Sequence, residues 1–136
     1  RKGETVYING DGTTSRDFCY IDNAVQMNLL AATVSEPPLF PGEVKKESVS
    51  PVNQVYNCAV GDRTSLNELY KLLVDGLTEN DQMPTADLIY RDFRAGDVMH
   101  SLADISKAKN LLGYAPQYRV DEGLKEAMTW YLMQNV

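Results

Sequence analysis

Two short segments of this chain contain residue types suited to binding a phosphate-containing ligand. In the first, Arg16 directly follows a glycine-rich turn, and an arginine held at the start of a strand presents a rigid fork of donors to a phosphate. In the second, residues 94–97 read Arg-Ala-Gly-Asp, so Arg94 can pair with a phosphate while Asp97 accepts hydrogen bonds from a ribose diol. The alternatives are an ordinary surface arginine and a charged turn in which Arg94 and Asp97 pair with each other.

Other reactive patterns in the sequence are less specific. The Gly10-x-Gly12-x-x-Ser15 stretch is close to a dinucleotide-binding fingerprint. Such a fingerprint opens a helix, however, and this one leads into a predicted strand, so a tight turn is favoured. The single histidine, His100, leaves one candidate base for a Ser-His-Asp triad. The aspartates are scattered at no ligand spacing, so no metal site is expected.

Composition favours one globular domain. The chain has 136 residues, and 13 Lys and Arg against 19 Asp and Glu give a net charge of -6. This length supports one core rather than two, and an acidic balance argues against nucleic acid as a partner. No apolar run is long enough to span a membrane and no secretion leader is recognisable, so we expect a cytoplasmic location. Cys19 and Cys58 both fall in strand-like segments, which favours buried free thiols over a disulfide.

Turn signals and hydrophobic periodicity predict the elements that position these residues in the first half of the chain. Asp22 or Asn23 is expected to cap the first helix. A cluster of prolines after that helix predicts an exposed loop. The predicted elements are strands at 5–8 and 16–21, joined as a hairpin by a turn at 9–12, a helix to about residue 34, and the exposed loop at about 36–53.

The second half alternates strands and helices. Ser65 and Glu68 form a capping box at a helix start, and Asp104 is expected to cap a short helix that ends at Gly113. Three residues of the last helix are expected in the core: Met128, Trp130 and Tyr131. The predicted elements are strands at 54–60 and 87–93 and helices at about 66–77, 104–112 and 121–134. The fold class is therefore α/β, with few strands and about four helices.

Three groups of motifs occur in order along nearly the whole chain. They are Asn9-Gly10-Asp11-Gly12-x-x-Ser15-Arg16-Asp17-Phe18-x-Tyr20-Ile21-Asp22-Asn23; Val55-Tyr56-Asn57 with Gly61 and Ser65-Leu66-x-Glu68-Leu69; and Arg94-Ala95-Gly96-Asp97 with Ala103-Asp104-x-Ser106-Lys107-Ala108 and Leu111-Leu112-Gly113-Tyr114-x-Pro116. Together they resemble the extended short-chain dehydrogenase/reductase enzymes that act on nucleotide sugars.

Within that family the chain is most similar to UDP-N-acetylglucosamine 4-epimerases. The resemblance implies an NAD-dependent enzyme that oxidises the sugar C4 hydroxyl to a ketone, lets the sugar rotate and returns the hydride to the other face. It implies that Arg16 and Arg94 bind the diphosphate of a UDP-sugar substrate. It also implies that Asp97 binds the uridine ribose and that Phe18 lies near the uridine. Ser101 would lie beside the sugar, where a small side chain admits an N-acetyl group.

Two motifs of the family are missing from this chain: Gly-x-x-Gly-x-x-Gly, which binds the dinucleotide, and the catalytic Tyr-x-x-x-Lys. Residues 1–136 are therefore expected to be the C-terminal, mostly substrate-binding region of a longer enzyme, with most of the Rossmann core outside this chain. The resemblance implies that this longer enzyme is a homodimer. Alone, the chain is expected to contain no catalytic residue and to be inactive. Open alternatives are another nucleotide-sugar enzyme of the family (a 4,6-dehydratase or a decarboxylase) and a non-catalytic binding module.

Overall fold

The structure is a computed structural model that describes residues 3–36, 49–82 and 86–134. Within these residues it is an α/β fold, as predicted, with four helices and four short strands. In chain order the elements are β1 (Val6–Asn9), β2 (Ser15–Arg16), α1 (Ile21–Thr33), β3 (Thr64–Ser65), α2 (Leu66–Glu79), β4 (Leu88–Arg91), α3 (Ser106–Leu112) and α4 (Val120–Met133).

The strands do not pair as the predicted hairpin. β1 pairs in parallel with β4, whereas β2, shorter than predicted, pairs antiparallel with β3. The turn itself is present, and Asp11 stabilises it by accepting hydrogen bonds from Thr13 N at 2.9 Å and Thr13 Oγ1 at 2.6 Å. After the turn the chain bonds to the start of α2, where Leu66 N donates to Thr14 O at 2.9 Å. The turn signal therefore predicted the position of the turn correctly, but it did not predict the strand with which β2 pairs.

Residues 54–60 form no strand, so the strand predicted there is wrong. The amide of Val60 donates to Asp17 Oδ1 at 2.9 Å instead of to a neighbouring strand, and a side chain thus satisfies this backbone donor. Cys19 and Cys58 are free, as predicted, but both are exposed rather than buried. Neither lies in a strand, contrary to the prediction.

The first helix, α1, begins one residue before the predicted caps. Its N-cap is Tyr20, with no side-chain cap bond, so the capping role predicted for Asp22 or Asn23 is wrong. Asn23 is instead fully buried. It accepts hydrogen bonds from Gln117 N at 2.8 Å and Tyr118 N at 3.1 Å and donates to Tyr118 O at 2.7 Å. Its side chain therefore connects α1 to the segment that precedes α4.

The capping box predicted for α2 and the predicted end of α3 are confirmed. Ser65 Oγ accepts a hydrogen bond from Glu68 N at 3.2 Å, while Glu68 Oε2 accepts one from Ser65 N at 2.8 Å. The bond from the Ser65 backbone, followed by that from its hydroxyl, lowers the pKa of the Glu68 carboxyl. Asp104 accepts a hydrogen bond from Ser106 N at 2.8 Å, but the N-cap of α3 is Ile105, which makes no side-chain cap bond, so the capping position predicted at Asp104 is wrong. That helix ends at Gly113, whose φ of 68° is left-handed.

The hydrophobic core cluster combines residues of α1 and α3 with residues of the irregular segments next to them, and α2 packs against α4. Met128 is buried, as predicted, but Trp130 and Tyr131 are 58% and 63% exposed, so their predicted place in the core is wrong. Trp130 follows Met128 by two residues, which places it on the opposite face of an α-helix. Tyr131 packs edge-on against Trp130, with 4.9 Å between ring centroids. The buried core cluster consists of Met27, Ala59, Ile105, Ala108, Leu112 and Tyr114.

The predicted exposed loop at 36–53 lies largely outside the described residues, which do not include residues 37–48. Residues 49–53 are irregular backbone, and Val49 is 62% exposed. In the part of the chain that the structure describes, no helix is both long enough and apolar enough to cross a membrane.

A close contact between α4 and the start of α1 leads to the first prediction. A Cβ on Gly123 would lie 2.7 Å from Tyr20 Cβ and 2.8 Å from its Cγ. Alanine normally stabilises a helix interior by about 1 kcal/mol relative to glycine. Here the overlap outweighs that gain, because Tyr20 Cβ cannot move without its backbone. Gly123→Ala should therefore lower the free energy of unfolding by about 1–3 kcal/mol in urea denaturation.

The matched control is Gly76→Ala in α2. A Cβ on Gly76 would meet only the flexible end of Met128, at 3.1 Å from its Cε. This substitution should be neutral or stabilising, because the propensity gain remains. Equal effects of the two substitutions would contradict the close approach of α4 to Tyr20.

Candidate functional site

A ladder of backbone hydrogen bonds places Arg16 and Ser101 on neighbouring segments. Ser15 N donates to Met99 O at 2.9 Å, and Ser101 N donates to Ser15 O at 3.1 Å. On its other side, β2 pairs with β3, where Arg16 lies opposite Thr64. β2 is therefore the middle of three extended segments, and it brings together two of the residues that the sequence singled out.

The guanidinium of Arg16 is positioned by backbone carbonyls. The side chain is half-buried, and its Nη1 donates to Ser15 O at 2.8 Å and to Met99 O at 3.3 Å. Among the described residues, its Nε and Nη2 make no hydrogen bond. Because a guanidinium has five N–H donors in a fixed plane, the anchored Nη1 orients the remaining donors for an anionic ligand.

His100 lies on the same ladder and does not form a triad. Its Nδ1 lies 2.9 Å from Ser15 Oγ, and Ser15 is only 7% exposed. No carboxylate pairs with this imidazole among the residues that the structure describes. The third member of a Ser-His-Asp arrangement is therefore missing within those residues, and the contact serves to hold residues 99–101 against β2.

Arg94 and Asp97 lie in an exposed turn between β4 and the ladder. The link between them is a backbone hydrogen bond, Asp97 N to Arg94 O at 3.3 Å. Their side chains form no ion pair with each other, so the charged-turn alternative is not found in this structure. Gly96 has a φ of 84° and open space where a Cβ would lie, so the backbone is accessible there. In the described residues neither side chain is bonded to Arg16.

Phe18 lines a small cavity, and an exposed ion pair is part of the same lining. The pair joins Arg119 Nη1 and Asp62 Oδ2 at 2.5 Å, and exposed pairs of this kind contribute little to stability. The cavity volume of about 100 Å³ is well below that of a typical small-molecule site. Its lining consists of Phe18, Val60, Asp62, Thr64, Arg119, Val120 and Asp121.

Asp17 is not predicted as a site residue from the sequence, yet its carboxylate organises the site. It accepts hydrogen bonds from Val60 N at 2.9 Å, Gly61 N at 3.0 Å and Ala103 N at 3.4 Å. These donors lie 43, 44 and 86 residues away in sequence, so no local pattern identified them. The only local signal was an acidic residue directly after Arg16.

The described residues do not fit a dinucleotide or a metal. The glycine-rich turn of residues 10–12 leads into β2, so it provides no helix N-terminus for a pyrophosphate. No group of three His, Cys, Asp or Glu side chains that could hold a metal ion occurs within the ranges described.

Solved structures of UDP-sugar epimerases share this fold. UDP-glucose 4-epimerase from Thermotoga maritima, with UDP-glucose, is 33% identical with a TM-score of 0.75; the match covers 96% of this chain and 36% of the other. UDP-N-acetylglucosamine 4-epimerase from Methanobrevibacter ruminantium, with UDP-N-acetylmuramic acid, is 31% identical with a TM-score of 0.72, over 96% and 35%. UDP-glucuronic acid 4-epimerase from Bacillus cereus, with UDP-glucuronic acid and NAD, is 25% identical with a TM-score of 0.66, over 93% and 36%.

These likenesses define the class, the extended short-chain dehydrogenase/reductase enzymes of nucleotide-sugar chemistry. The family described as GDP-mannose 4,6 dehydratase matches residues 1–127, and the chain belongs to this family. The chain spans about a third of the length of the curated relatives it matches.

The Asp17 carboxylate leads to the second prediction. Asp17→Ala leaves three amide donors without their acceptor. The loss of stability is larger when the missing partner was charged than when it was neutral. The substitution should lower the free energy of unfolding by about 2 kcal/mol in urea denaturation. Asp92→Ala, which removes an exposed carboxylate with no hydrogen bond among the described residues, should change it by less than about 0.5 kcal/mol. A similarly small loss for Asp17→Ala would show that the carboxylate does not hold these segments together.

Proposed function

We propose that this chain is the UDP-sugar-binding region of an NAD-dependent UDP-N-acetylglucosamine 4-epimerase. The observation that supports the proposal best is the ladder on which Arg16 is anchored beside Ser101. Arg16, as a donor for the diphosphate, then lies on a segment adjacent to Ser101, the small residue beside the sugar. The family match and the likeness to a UDP-N-acetylglucosamine 4-epimerase also support it.

In this proposal, each site residue binds one part of the substrate. Arg16 and Arg94 bind the diphosphate, because planar guanidinium groups match phosphate oxygens in pairs. Asp97 accepts hydrogen bonds from the ribose hydroxyls, and Phe18 lies near the uracil. Local arginines are needed because the chain as a whole carries a net charge of -6, which repels an anionic ligand.

The reaction itself is assigned to residues outside the described part of this chain. We propose that the remaining portion of the enzyme holds NAD, which would take up and return the hydride at the sugar C4, together with the catalytic Tyr-x-x-x-Lys. The role of residues 1–136 is to bind the nucleotide diphosphate and to orient the sugar. Alone, this region is proposed to be inactive as an epimerase.

The proposal is tested with the complete enzyme and UDP-N-acetylglucosamine. Appearance of UDP-N-acetylgalactosamine, identified by NMR of the sugar, is the expected result. The family description favours one second candidate, a 4,6-dehydratase, whose product is lighter by one water and has a ketone at C4. Mass spectrometry of the product separates the two outcomes, and a dehydrated product would overturn the epimerase assignment.

The third prediction concerns Arg94. In the complete enzyme, Arg94→Ala should raise the KM for the UDP-sugar about 10- to 100-fold, because a hydrogen bond to a charged group contributes about 1.5–3 kcal/mol. Arg91→Ala is the matched control: it removes the same charge, but the Arg91 guanidinium lies over the Tyr7 ring, 3.3 Å from its centroid. Steady-state kinetics that do not change in the Arg94 variant would contradict the assignment of Arg94 to the diphosphate.

The fourth prediction concerns substrate selection by Ser101. In the complete enzyme, Ser101→Tyr should lower kcat/KM for UDP-N-acetylglucosamine at least about tenfold more than for UDP-glucose, because the added ring occupies space for the N-acetyl group. Ser101→Ala keeps the side chain small and should retain the preference of the parent enzyme. Equal losses on both substrates in the tyrosine variant would remove Ser101 from this role.

A further inference from the structure

The fold brings the two cysteines of the chain together. The Cys19 and Cys58 Sγ atoms lie 3.7 Å apart, although the residues are separated by 39 positions in sequence. These are the only cysteines among the 136 residues, and both are exposed. We propose that this pair is a modification site at which a peroxide converts the two thiols into an intramolecular disulfide. The proposal does not depend on the epimerase assignment.

Hydrogen bonds on both segments hold the two thiols at this separation. Cys19 follows Asp17 by two residues, and Asp17 accepts a hydrogen bond from Val60 N at 2.9 Å. Val60 in turn follows Cys58 by two residues, so a carboxylate–amide bond already joins the two segments beside the sulfurs. A disulfide bond is about 2.05 Å long, so the two sulfurs must approach more closely than 3.7 Å for the bond to form.

A tyrosine between the segments restricts their movement further. Tyr114 is 1% exposed, and its hydroxyl donates to Ala59 O at 2.8 Å, next to Cys58 in the chain. Burial, and then the nearby Cys19 thiol, raises the pKa of Tyr114, so its hydroxyl stays protonated and remains a donor. The Cys58 segment is therefore held from two sides, by Asp17 and by Tyr114.

The first step oxidises one of the two sulfurs. That sulfur displaces hydroxide from hydrogen peroxide, the O–O bond breaks, and a sulfenic acid and one water form. The other thiol is close to this sulfenic acid, because the two sulfurs lie 3.7 Å apart.

The second step closes the bridge. The Sγ of the other cysteine attacks the sulfenic sulfur, the S–O bond breaks, and the departing hydroxide takes the proton of that thiol to form a second water. In total, two thiols and one hydrogen peroxide give one disulfide and two waters. The two sulfurs are oxidised and the peroxide oxygens are reduced. A dithiol such as dithiothreitol reverses the change by exchange.

The test uses the complete 136-residue chain, reduced and then treated with hydrogen peroxide. The expected result is loss of both titratable thiols, a decrease in intact mass by two hydrogen atoms, and a linked peptide pair containing Cys19 and Cys58. The product should remain a single chain in non-reducing electrophoresis, and dithiothreitol should restore both thiols. Cys19→Ser and Cys58→Ser are the matched variants, and neither should show the mass decrease.

A second measurement separates proximity in the fold from random collision. In concentrated urea the same oxidation of the wild-type chain should be slower, because the sulfurs are no longer held 3.7 Å apart. The proposal is overturned if the folded chain gains oxygen on separate cysteines, forms disulfide-linked dimers, or closes the bridge no faster than in urea. The wild-type comparison remains valid even if a serine variant fails to fold.

Discussion

The arrangement of the candidate site depends on one half-buried carboxylate. Asp17 accepts hydrogen bonds from the amides of Val60, Gly61 and Ala103, three donors on two segments distant in sequence. Because these residues lie in no strand, their amides have no partner of the kind that a sheet provides. A charged acceptor is the strongest substitute. One side chain thereby fixes the segments on which the proposed ligand-binding residues lie.

Residues before and after Asp17 in the chain are also held by hydrogen bonds to distant segments. Arg16, directly before Asp17, is held in β2 between β3 and the segment that contains Ser101. Asn23, fully buried, gives a second polar anchor by bonding to the backbone of residues 117 and 118. The two sheets of the described residues have only two strands each. Hydrogen bonds to polar side chains therefore connect segments that longer strands would connect in a larger sheet.

Local signals in the sequence predicted local structure well. The capping box at Ser65, the end of α3 at Gly113 and the extent of α4 depend on residues within one helical turn of each other, and the structure confirms them. The glycine-rich turn is also present. The α/β class followed from the alternation of these elements, and the family followed from motifs distributed over nearly the whole chain.

Features that depend on distant partners were not predictable in this way. The pairing of β1 with β4 joins residues about 80 positions apart, so the strong local turn after β1 led to a wrong hairpin. The Val55–Val60 run has strand-like composition, but the amide of Val60 donates to Asp17 instead of to a neighbouring strand. The role of Asp17 itself depends on donors up to 86 residues away. The binding of a ligand by Arg94 and Asp97 stays a prediction: both are exposed, and within the described residues neither side chain is hydrogen-bonded to Arg16.

The most direct test of the account is a crystal structure of the complete enzyme with bound UDP-N-acetylglucosamine. The account predicts that the guanidinium groups of Arg16 and Arg94 donate to the diphosphate and that Ser101 faces the N-acetyl group. Asp17 should retain its three amide partners in that complex. A diphosphate bound entirely by residues outside this chain, with both arginines facing solvent, would contradict it.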